Sequence, residues 1–207
     1  VDRPLAVGER KLTYPDAITG VTQALYVSSA WPALAQGISA LAKGDGTILL
    51  LLADLYLDRH ADGSYGNAIE AFDVISCVDE ERTTDPAAIA DGAAREQAAA
   101  PYRDSGRGVV AARDKCAFWP VPPTSTPHTP HVAGLPPTVV VSTTGDPATP
   151  YEAGVDLAKA LGGTLLRVEG EQHGAVLSGS SCVDDAVTAY LVDLTVPATG
   201  TDCRFDT

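Results

Sequence analysis

Residues 138–174, TVVVSTTGDPATPYEAGVDLAKALGGTLLRVEGEQHG, decide the fold of this chain. The stretch opens with β-branched and small residues, a run typical of a buried parallel strand. After a turn, Pro150 predicts the start of a helix, and the pair Gly162-Gly163 predicts its end. A second short strand is predicted for residues 165–168. The pattern of strand, helix and strand indicates the α/β fold class.

Two polar residues follow the predicted strands, Asp146 in the first turn and His173 in the loop after the second strand. Parallel sheets place their sites just outside the carboxyl ends of their strands. The order also matches the C-terminal end of an α/β-hydrolase, whose triad runs serine, acid, histidine along the chain. We therefore predict that Asp146 orients His173, which acts as the base. Taken singly, each has a plainer interpretation: a turn-forming Asp before Pro, and a loop histidine beside a glycine.

Several motifs resemble the secreted tripeptidyl-aminopeptidase-like α/β-hydrolases of actinobacteria, namely GDPATP (145–150), GEQHG (170–174) and SCV (181–183). The resemblance continues upstream through Ala24-Leu25-Tyr26, Trp31-Pro32 and ISCVD (75–79), and covers nearly the whole chain. It implies the C-terminal portion of an α/β-hydrolase, with the last strands and helices of a parallel sheet preceded by a helical cap region.

The same resemblance implies that Thr149 lines the substrate-binding site, although this residue could equally cap the helix that follows. An aminopeptidase also needs acidic groups that bind the α-ammonium of its substrate. Acidic residues of the helical region that could serve are Asp54, Asp79, Glu80 and Glu81. Since solvated surface acids are far more common, none of them is assigned to the site.

The serine of the triad is missing from the sequence. No five-residue window fits the G-x-S-x-G elbow that this fold requires. Gly63-Ser64-Tyr65-Gly66 lacks a spacer, and Val183 stands where Ser181 would need a glycine. We therefore expect the nucleophile on an N-terminal segment outside these 207 residues, whether cleaved, separate or omitted, and we expect the 207 residues alone to be inactive.

The composition excludes several other classes of function. A net charge of −13 and a pI near 4.5 argue against nucleic acid and against anionic lipid as partners. The most apolar run, residues 47–57, is too short to span a bilayer. Dinucleotide and phosphate-loop patterns are absent, so no cofactor is predicted. His128 and His131 have a spacing that suits a metal, but no Cys or carboxylate stands nearby and no metal site is predicted.

The four cysteines show no close C-x-x-C pair, which disfavours zinc and redox motifs. An even number of well-separated cysteines fits two disulfides in an exported protein. Of the three possible connectivities we favour Cys77–Cys116 and Cys182–Cys203, because each pair then links residues of one region. Buried free thiols are the alternative.

The chain order predicts a helical region followed by the α/β stretch. Residues 1–10 are expected to be irregular, and nothing in the first 115 residues alternates with a period of two. Helices are predicted at 13–26, 31–44, 47–57, 86–100, 109–113 and 182–192, and residues 65–75 are predicted as a helix or a helix-to-strand segment. The third helix is apolar nearly all round and is therefore expected to be buried. The tail to Thr207 is expected to be irregular and attached through Cys203.

These expectations divide the chain into a helical cap (1–119), an extended proline-rich connector (120–137) and the C-terminal part of the hydrolase core (138–207). The leading functional hypothesis is a secreted or envelope-associated serine exopeptidase that releases tripeptides. Its partners are a peptide substrate and the N-terminal part of the same enzyme. An esterase or lipase on the same scaffold and a non-catalytic binding module with a degenerate site remain alternatives.

Overall fold

The structure, a computed structural model, describes residues 3–106, 108, 111–124, 126 and 128–206. Its helices are α1 (Tyr14–Leu25), α2 (Trp31–Leu41), α3 (Thr47–Tyr56), α4 (Ala68–Asp79), α5 (Pro86–Ala99), α6 (Tyr151–Leu161) and α7 (Ser181–Asp193). Its strands are β1 (Leu5–Val7), β2 (Arg10–Leu12), β3 (Val139–Thr143), β4 (Thr164–Glu169) and β5 (Asp202–Arg204). The chain forms two compact units, Val1–Gln23 with Leu34–His128, and Ala24–Ala33 with Thr129–Thr207.

A β-hairpin lies near the start of the first unit, where the sequence predicted irregular structure. Strands β1 and β2 pair antiparallel, with Leu5 opposite Leu12, and Gly8 adopts a φ of 59° in the turn. The prediction of irregular structure at residues 1–10 is therefore wrong for Leu5–Val7 and for Arg10, which lie in strands. Each strand has only three residues, too few for alternation to stand out.

The helices of the first unit pack closely where glycines replace side chains. A Cβ on Gly20 of α1 would lie 2.3 Å from the carbonyl oxygen of Leu49 in α3. A Cβ on Gly37 of α2 would lie 3.0 Å from the side chain of Ile48. Both glycines therefore allow helix backbones to approach more closely than any larger residue would.

Two predictions for the helical unit are wrong. Helix α3 is not buried on all sides, because Leu51 and Leu55 are 57% and 64% exposed. The predicted helical piece at 109–113 falls partly on Val109 and Val110, which lie outside the described residues, and residues 111–113 are irregular. Within the described ranges, none of the helices combines the length and apolar character needed to cross a membrane.

The second unit contains a three-stranded sheet in the order β3-β4-β5, and both pairings are parallel. Strand β5 corrects the prediction of an irregular tail: Cys203 pairs with Val168 of β4. Helix α6 connects β3 to β4, and Gly154 allows its close approach, since a Cβ there would lie 2.5 Å from Ser142 Oγ. The buried core of this unit comprises Leu166, Val168, Ala175, Val183 and Cys203.

Both disulfides link residues within one unit. Cys77–Cys116 joins α4 to the 3-10 turn Lys115–Phe118, and Cys182–Cys203 joins α7 to β5. These are the two pairs favoured from the sequence. No cysteine is free, so the alternative of buried thiols is wrong.

Candidate active site

Asp146 lies in the turn that follows β3, at the carboxyl end of that strand. The main-chain amide of Gly145 donates to the carbonyl oxygen of Gly170, 2.8 Å away, in the loop after β4. This bond joins the turn that contains the acid to the loop that contains His173. The predicted acid and base therefore lie at the same edge of the sheet.

The carboxylate of Asp146 is buried and strongly hydrogen bonded. Its Oδ1 accepts the amides of Ala148 and Thr149, each at 2.8 Å, and its Oδ2 accepts Thr149 Oγ1 at 2.9 Å. The side chain is only 5% exposed. Burial alone would raise the pKa of Asp146, but the hydrogen bonds from the Thr149 and Ala148 amides and from the His173 and Thr149 side chains outweigh it and lower that pKa. Asp146 is thus an anion at neutral pH.

The imidazole of His173 bonds directly to this anion. Its Nδ1 lies 3.0 Å from both Oδ1 and Oδ2 of Asp146. Since an ionised carboxylate only accepts hydrogen bonds, we infer that Nδ1 bears the proton and that Nε2 has the free lone pair. The His173 side chain is 42% exposed, so other groups can reach the ring. This is the arrangement of an acid that orients a general base.

Tyr26 also contacts His173. The amide of His173 donates to the Tyr26 carbonyl oxygen at 2.8 Å. The two rings pack edge to face, with centroids 5.5 Å apart and an interplanar angle of 73°. In the sequence, Tyr26 stands out only through the family resemblance, and no local pattern indicates its place at the site.

The loop beyond His173 is held by side chains on both of its flanks. Gln172 Nε2 donates to the carbonyl oxygens of Gly174 and Ser178, both at 3.1 Å. The amide of Leu177 donates to Asp184 Oδ1 at 2.6 Å, although Leu177 has a φ of 55°. These bonds give the loop a fixed path without regular secondary structure.

The C-terminal tail packs against the same loop. Ser180 Oγ donates to the carbonyl oxygen of Arg204 at 2.7 Å, and the amide of Ser181 donates to Asp206 Oδ2 at 2.9 Å. The ring of Phe205 occupies the space where a side chain on Gly170 would lie, 2.3 Å from an added Cβ. The tail therefore contacts both ends of the segment that contains His173.

A cavity of about 270 Å³ adjoins the Asp146–His173 pair. Its walls are the end of β3, the acid turn and the start of the loop after His173, formed by Val141, Ser142, Thr143, Asp146, Thr149, His173, Gly174, Ala175 and Val176. The walls thus combine apolar side chains with the acid and the base. Among the described residues, no hydrogen bond links His173 to a serine or cysteine that could act as a nucleophile.

A protein-family comparison matches residues 100–203, half of the chain, to the model described as TAP-like protein. The chain belongs to this family of α/β-hydrolases. The order of acid, helix, strand and histidine in the second unit is therefore that of the C-terminal portion of a TAP-like hydrolase.

Curated relatives of the TAP-like chain differ in the reaction that their names describe. "Serine protease Hip1" of Mycobacterium tuberculosis is 47% identical over 205 residues, 98% of this chain and 39% of its own length. "Carboxylesterase B" of the same species is 48% identical over 196 residues, 94% of this chain and 38% of its own. "Tripeptidyl aminopeptidase" of Streptomyces coelicolor is 27% identical over 192 residues, covering 91% and 34%. The chain spans about two fifths of the first two relatives and about a third of the last.

The other residues that the sequence suggested for substrate or metal binding lie in different surroundings. Thr149 lines the cavity, but its hydroxyl donates to Asp146, and the next helix has no side-chain cap. Asp54 receives two hydrogen bonds from Arg10, at 2.5 and 2.7 Å, which lower its pKa. Asp79, Glu80 and Glu81 are exposed. Over the described ranges, no group of three or more His, Cys, Asp or Glu side chains is arranged to hold a metal ion.

Proposed function

We propose that this chain supplies the acid, the base and the cap of a secreted or envelope-associated serine exopeptidase that releases tripeptides from peptide N-termini. The single observation that supports this most is the bond from His173 Nδ1 to a buried, ionised Asp146. In the reaction, Nε2 of His173 removes the proton of a serine hydroxyl that attacks the peptide carbonyl. His173 then donates this proton to the leaving amine, and Asp146 stabilises the imidazolium between the two steps.

The serine would belong to an N-terminal segment of the parent protein. Strand β3 is the edge strand of its sheet, since among the described residues it pairs with β4 alone. Val141, Ser142 and Thr143 of this strand line the cavity next to His173, and a further parallel strand could add at its free edge. A chain that spans about two fifths of its relatives is consistent with such a segment.

In this proposal, three segments of the chain have different roles. Residues 1–119 form the cap, residues 120–137 connect, and residues 138–207 complete the core. The cap would exclude water and limit how far a peptide enters from its N-terminus. Two disulfides fit an exported enzyme.

The proposal is tested by assaying the 207 residues and the full parent protein side by side. A tripeptidyl p-nitroanilide with a free N-terminus should be cleaved by the parent protein and not by the 207 residues. His173→Ala should abolish cleavage, whereas His128→Gln, a change at an exposed histidine, should leave it intact. Steady cleavage by the 207 residues alone, lost on His173→Ala, would contradict the assignment of the serine to another segment.

An esterase is the second candidate, because a relative named "Carboxylesterase B" is 48% identical to the chain. The same two residues serve both reactions, so the substrate must decide. The comparison uses a p-nitrophenyl butyrate and the tripeptidyl anilide with free or acetylated N-terminus. Preference for the free peptide supports the exopeptidase, preference for the ester supports the esterase, and activity on neither with any parent protein supports a binding module.

A further inference from the structure

The bond to Asp146 alone does not fix the direction of the imidazole of His173. Both carboxylate oxygens lie 3.0 Å from the same ring nitrogen, so this contact acts as a pivot at Nδ1. Rotation about the pivot would move Nε2, the nitrogen that must meet the substrate. With 42% of the side chain exposed, surrounding protein does not enclose the ring. A further contact would limit the movement of Nε2.

Tyr26 provides two such contacts. Its carbonyl oxygen accepts the His173 amide at 2.8 Å, which fixes the main chain from which the imidazole projects. Its ring meets the imidazole edge to face at a centroid distance of 5.5 Å, a favoured aromatic geometry. The main-chain bond limits where the side chain starts, and the ring contact limits how it turns.

Tyr26 reaches His173 from a distant part of the sequence. It is the first residue after α1, which ends at Leu25, and it belongs to the segment Ala24–Ala33 that packs in the second unit. Val27 continues with an extended backbone, φ −149° and ψ 130°. The segment therefore leaves its helix immediately before the contact with the imidazole.

We propose that Tyr26 is a positioning residue for His173, which holds the imidazole so that Nε2 faces the reacting atoms. The role depends on the proposed function of His173 as the base, but the contact itself does not. Tyr26 acts through His173 and touches neither the substrate nor the nucleophile in this role. The plain alternative is that Tyr26 only stabilises the fold of the second unit.

Nitrogen NMR of the 207-residue chain tests the contact without any activity. The chain has four histidines, so the ring nitrogens of His173 can be resolved and assigned with His173→Gln. At mildly alkaline pH, the wild type should show one dominant tautomer with the proton on Nδ1. Tyr26→Leu, which keeps the carbonyl and removes the ring, should shrink the difference between the two nitrogen shifts. Tyr26→Phe should preserve it, as should the control Tyr102→Leu at an exposed tyrosine.

The wild type alone provides an independent check if Tyr26→Leu fails to fold. Nuclear Overhauser effects should connect the Tyr26 ring protons to the imidazole protons of His173, and the His173 amide should exchange slowly. Absent Overhauser effects, or a Tyr26→Leu spectrum with unchanged His173 nitrogens, would overturn the proposal.

Kinetics of the parent protein separate positioning from stability. Tyr26→Leu should lower kcat by about tenfold to a hundredfold with little change in KM, since a misplaced catalytic group costs rate rather than binding. Tyr26→Phe should restore kcat. If the NMR changes appear while kcat stays constant, Tyr26 contacts His173 without positioning it for catalysis, and the proposal is overturned. A failure of the proposed function shows instead as undiminished activity of His173→Ala. If kcat falls only in proportion to a loss of folded protein, the role is structural.

Discussion

A Cβ on Gly145 would lie 2.8 Å from the carbonyl oxygen of Gly170, the atom that already accepts the Gly145 amide. The acid turn and the histidine loop thus meet main chain to main chain, with no room for a side chain between them. Real Cβ atoms do not approach an oxygen so closely, so any larger residue must separate the two loops. Asp146 follows Gly145 directly, and the separation would therefore pull it away from His173.

Gly145→Ala should accordingly damage catalysis more than folding. Overpacking of this kind costs about 1–3 kcal/mol in the free energy of unfolding. A shift of the carboxylate by about an ångström should lower kcat of the parent protein by about a hundredfold. Thermal unfolding and anilide hydrolysis measure the two effects separately.

Gly162→Ala is the matched control for Gly145→Ala. Gly162 ends α6 with a φ of 62°, and a Cβ there would meet nothing within 4 Å. The cost is backbone strain far from the two loops, so stability should fall by about 1 kcal/mol while kcat is kept. Equal losses of kcat in both variants would show that the Gly145–Gly170 contact does not position the acid.

Ionised Asp146 should stabilise the fold at neutral pH and lose this contribution in acid. Its folded-state pKa is lowered because hydrogen bonds outweigh burial, so folding favours the anion. The contribution is complete above the unfolded pKa of about 4 and disappears as the pH falls through the lower folded value. In Asp146→Asn the contribution is absent, so the stability gap between wild type and variant should narrow from neutral pH to about pH 2.

Urea unfolding at several pH values measures that gap. Asp91→Asn, on the exposed surface of α5, provides the control and should show only a small gap. A gap for Asp146→Asn that stays constant down to the acid limit would show that the carboxylate is not stabilised as an anion in the folded protein.

Variants of Thr149 can show whether its hydroxyl contacts the substrate or acts through Asp146. Its hydroxyl donates to Asp146 Oδ2 at 2.9 Å, and its amide donates to Oδ1 at 2.8 Å. Thr149→Val removes only the hydroxyl bond, so kcat should fall by about tenfold if the residue acts through Asp146, a loss that matches one hydrogen bond to a charged group. Thr149→Ser should retain kcat.

Steady-state kinetics of both Thr149 variants decide the point. The prediction from family resemblance, that Thr149 binds the substrate, instead requires KM to rise with kcat unchanged. Such a result would show that the Thr149 hydroxyl contacts the substrate and that its bond to Asp146 does not affect kcat.

Loss of the Cys182–Cys203 disulfide should loosen the histidine loop selectively. The bond closes a sequence separation of 21 residues, for which the chain-entropy model gives about 3 kcal/mol. Replacing both cysteines with alanine should accelerate amide exchange in β5 and in residues 179–181, where the tail contacts the loop. The matched variant lacks Cys77 and Cys116 and should accelerate exchange around α4 instead. Equal amide exchange in β5 for wild type and the Cys182/Cys203 variant would contradict the prediction that this disulfide holds the tail against the histidine loop.

The sequence predicts the α/β stretch well because its signals are local. The valine run before Asp146, Pro150 and the Gly162-Gly163 pair each specify backbone structure within a few residues. The structure places β3, α6 and β4 within about two residues of the predicted bounds. The expected neighbours Asp146 and His173 lie together because parallel strands bring their carboxyl ends to one edge.

The parts that were missed depend on contacts between distant residues. Strand β5 consists of Asp-Cys-Arg, which has no strand signal of its own and exists through its pairing with β4. Leu51 and Leu55 were expected to be buried because the composition of their helix is apolar. Their exposure, however, depends on what packs against the helix. Tyr26 carries no local mark of its contact with His173. Contacts between residues so far apart in the sequence can be identified only in the folded chain.

The placement of the two disulfides sets what a single backbone cut would do to the molecule. A protease that cleaves between Cys77 and Cys116, or between Cys182 and Cys203, leaves every fragment attached through sulfur. A cleavage among the prolines of 120–137 falls outside both loops and yields two separate polypeptides even before reduction. One product then contains Tyr26 and the other His173, so in a nicked chain the contact between these two residues would last only while the pieces stay bound. Electrophoresis with and without a reducing agent reveals which bond was cut.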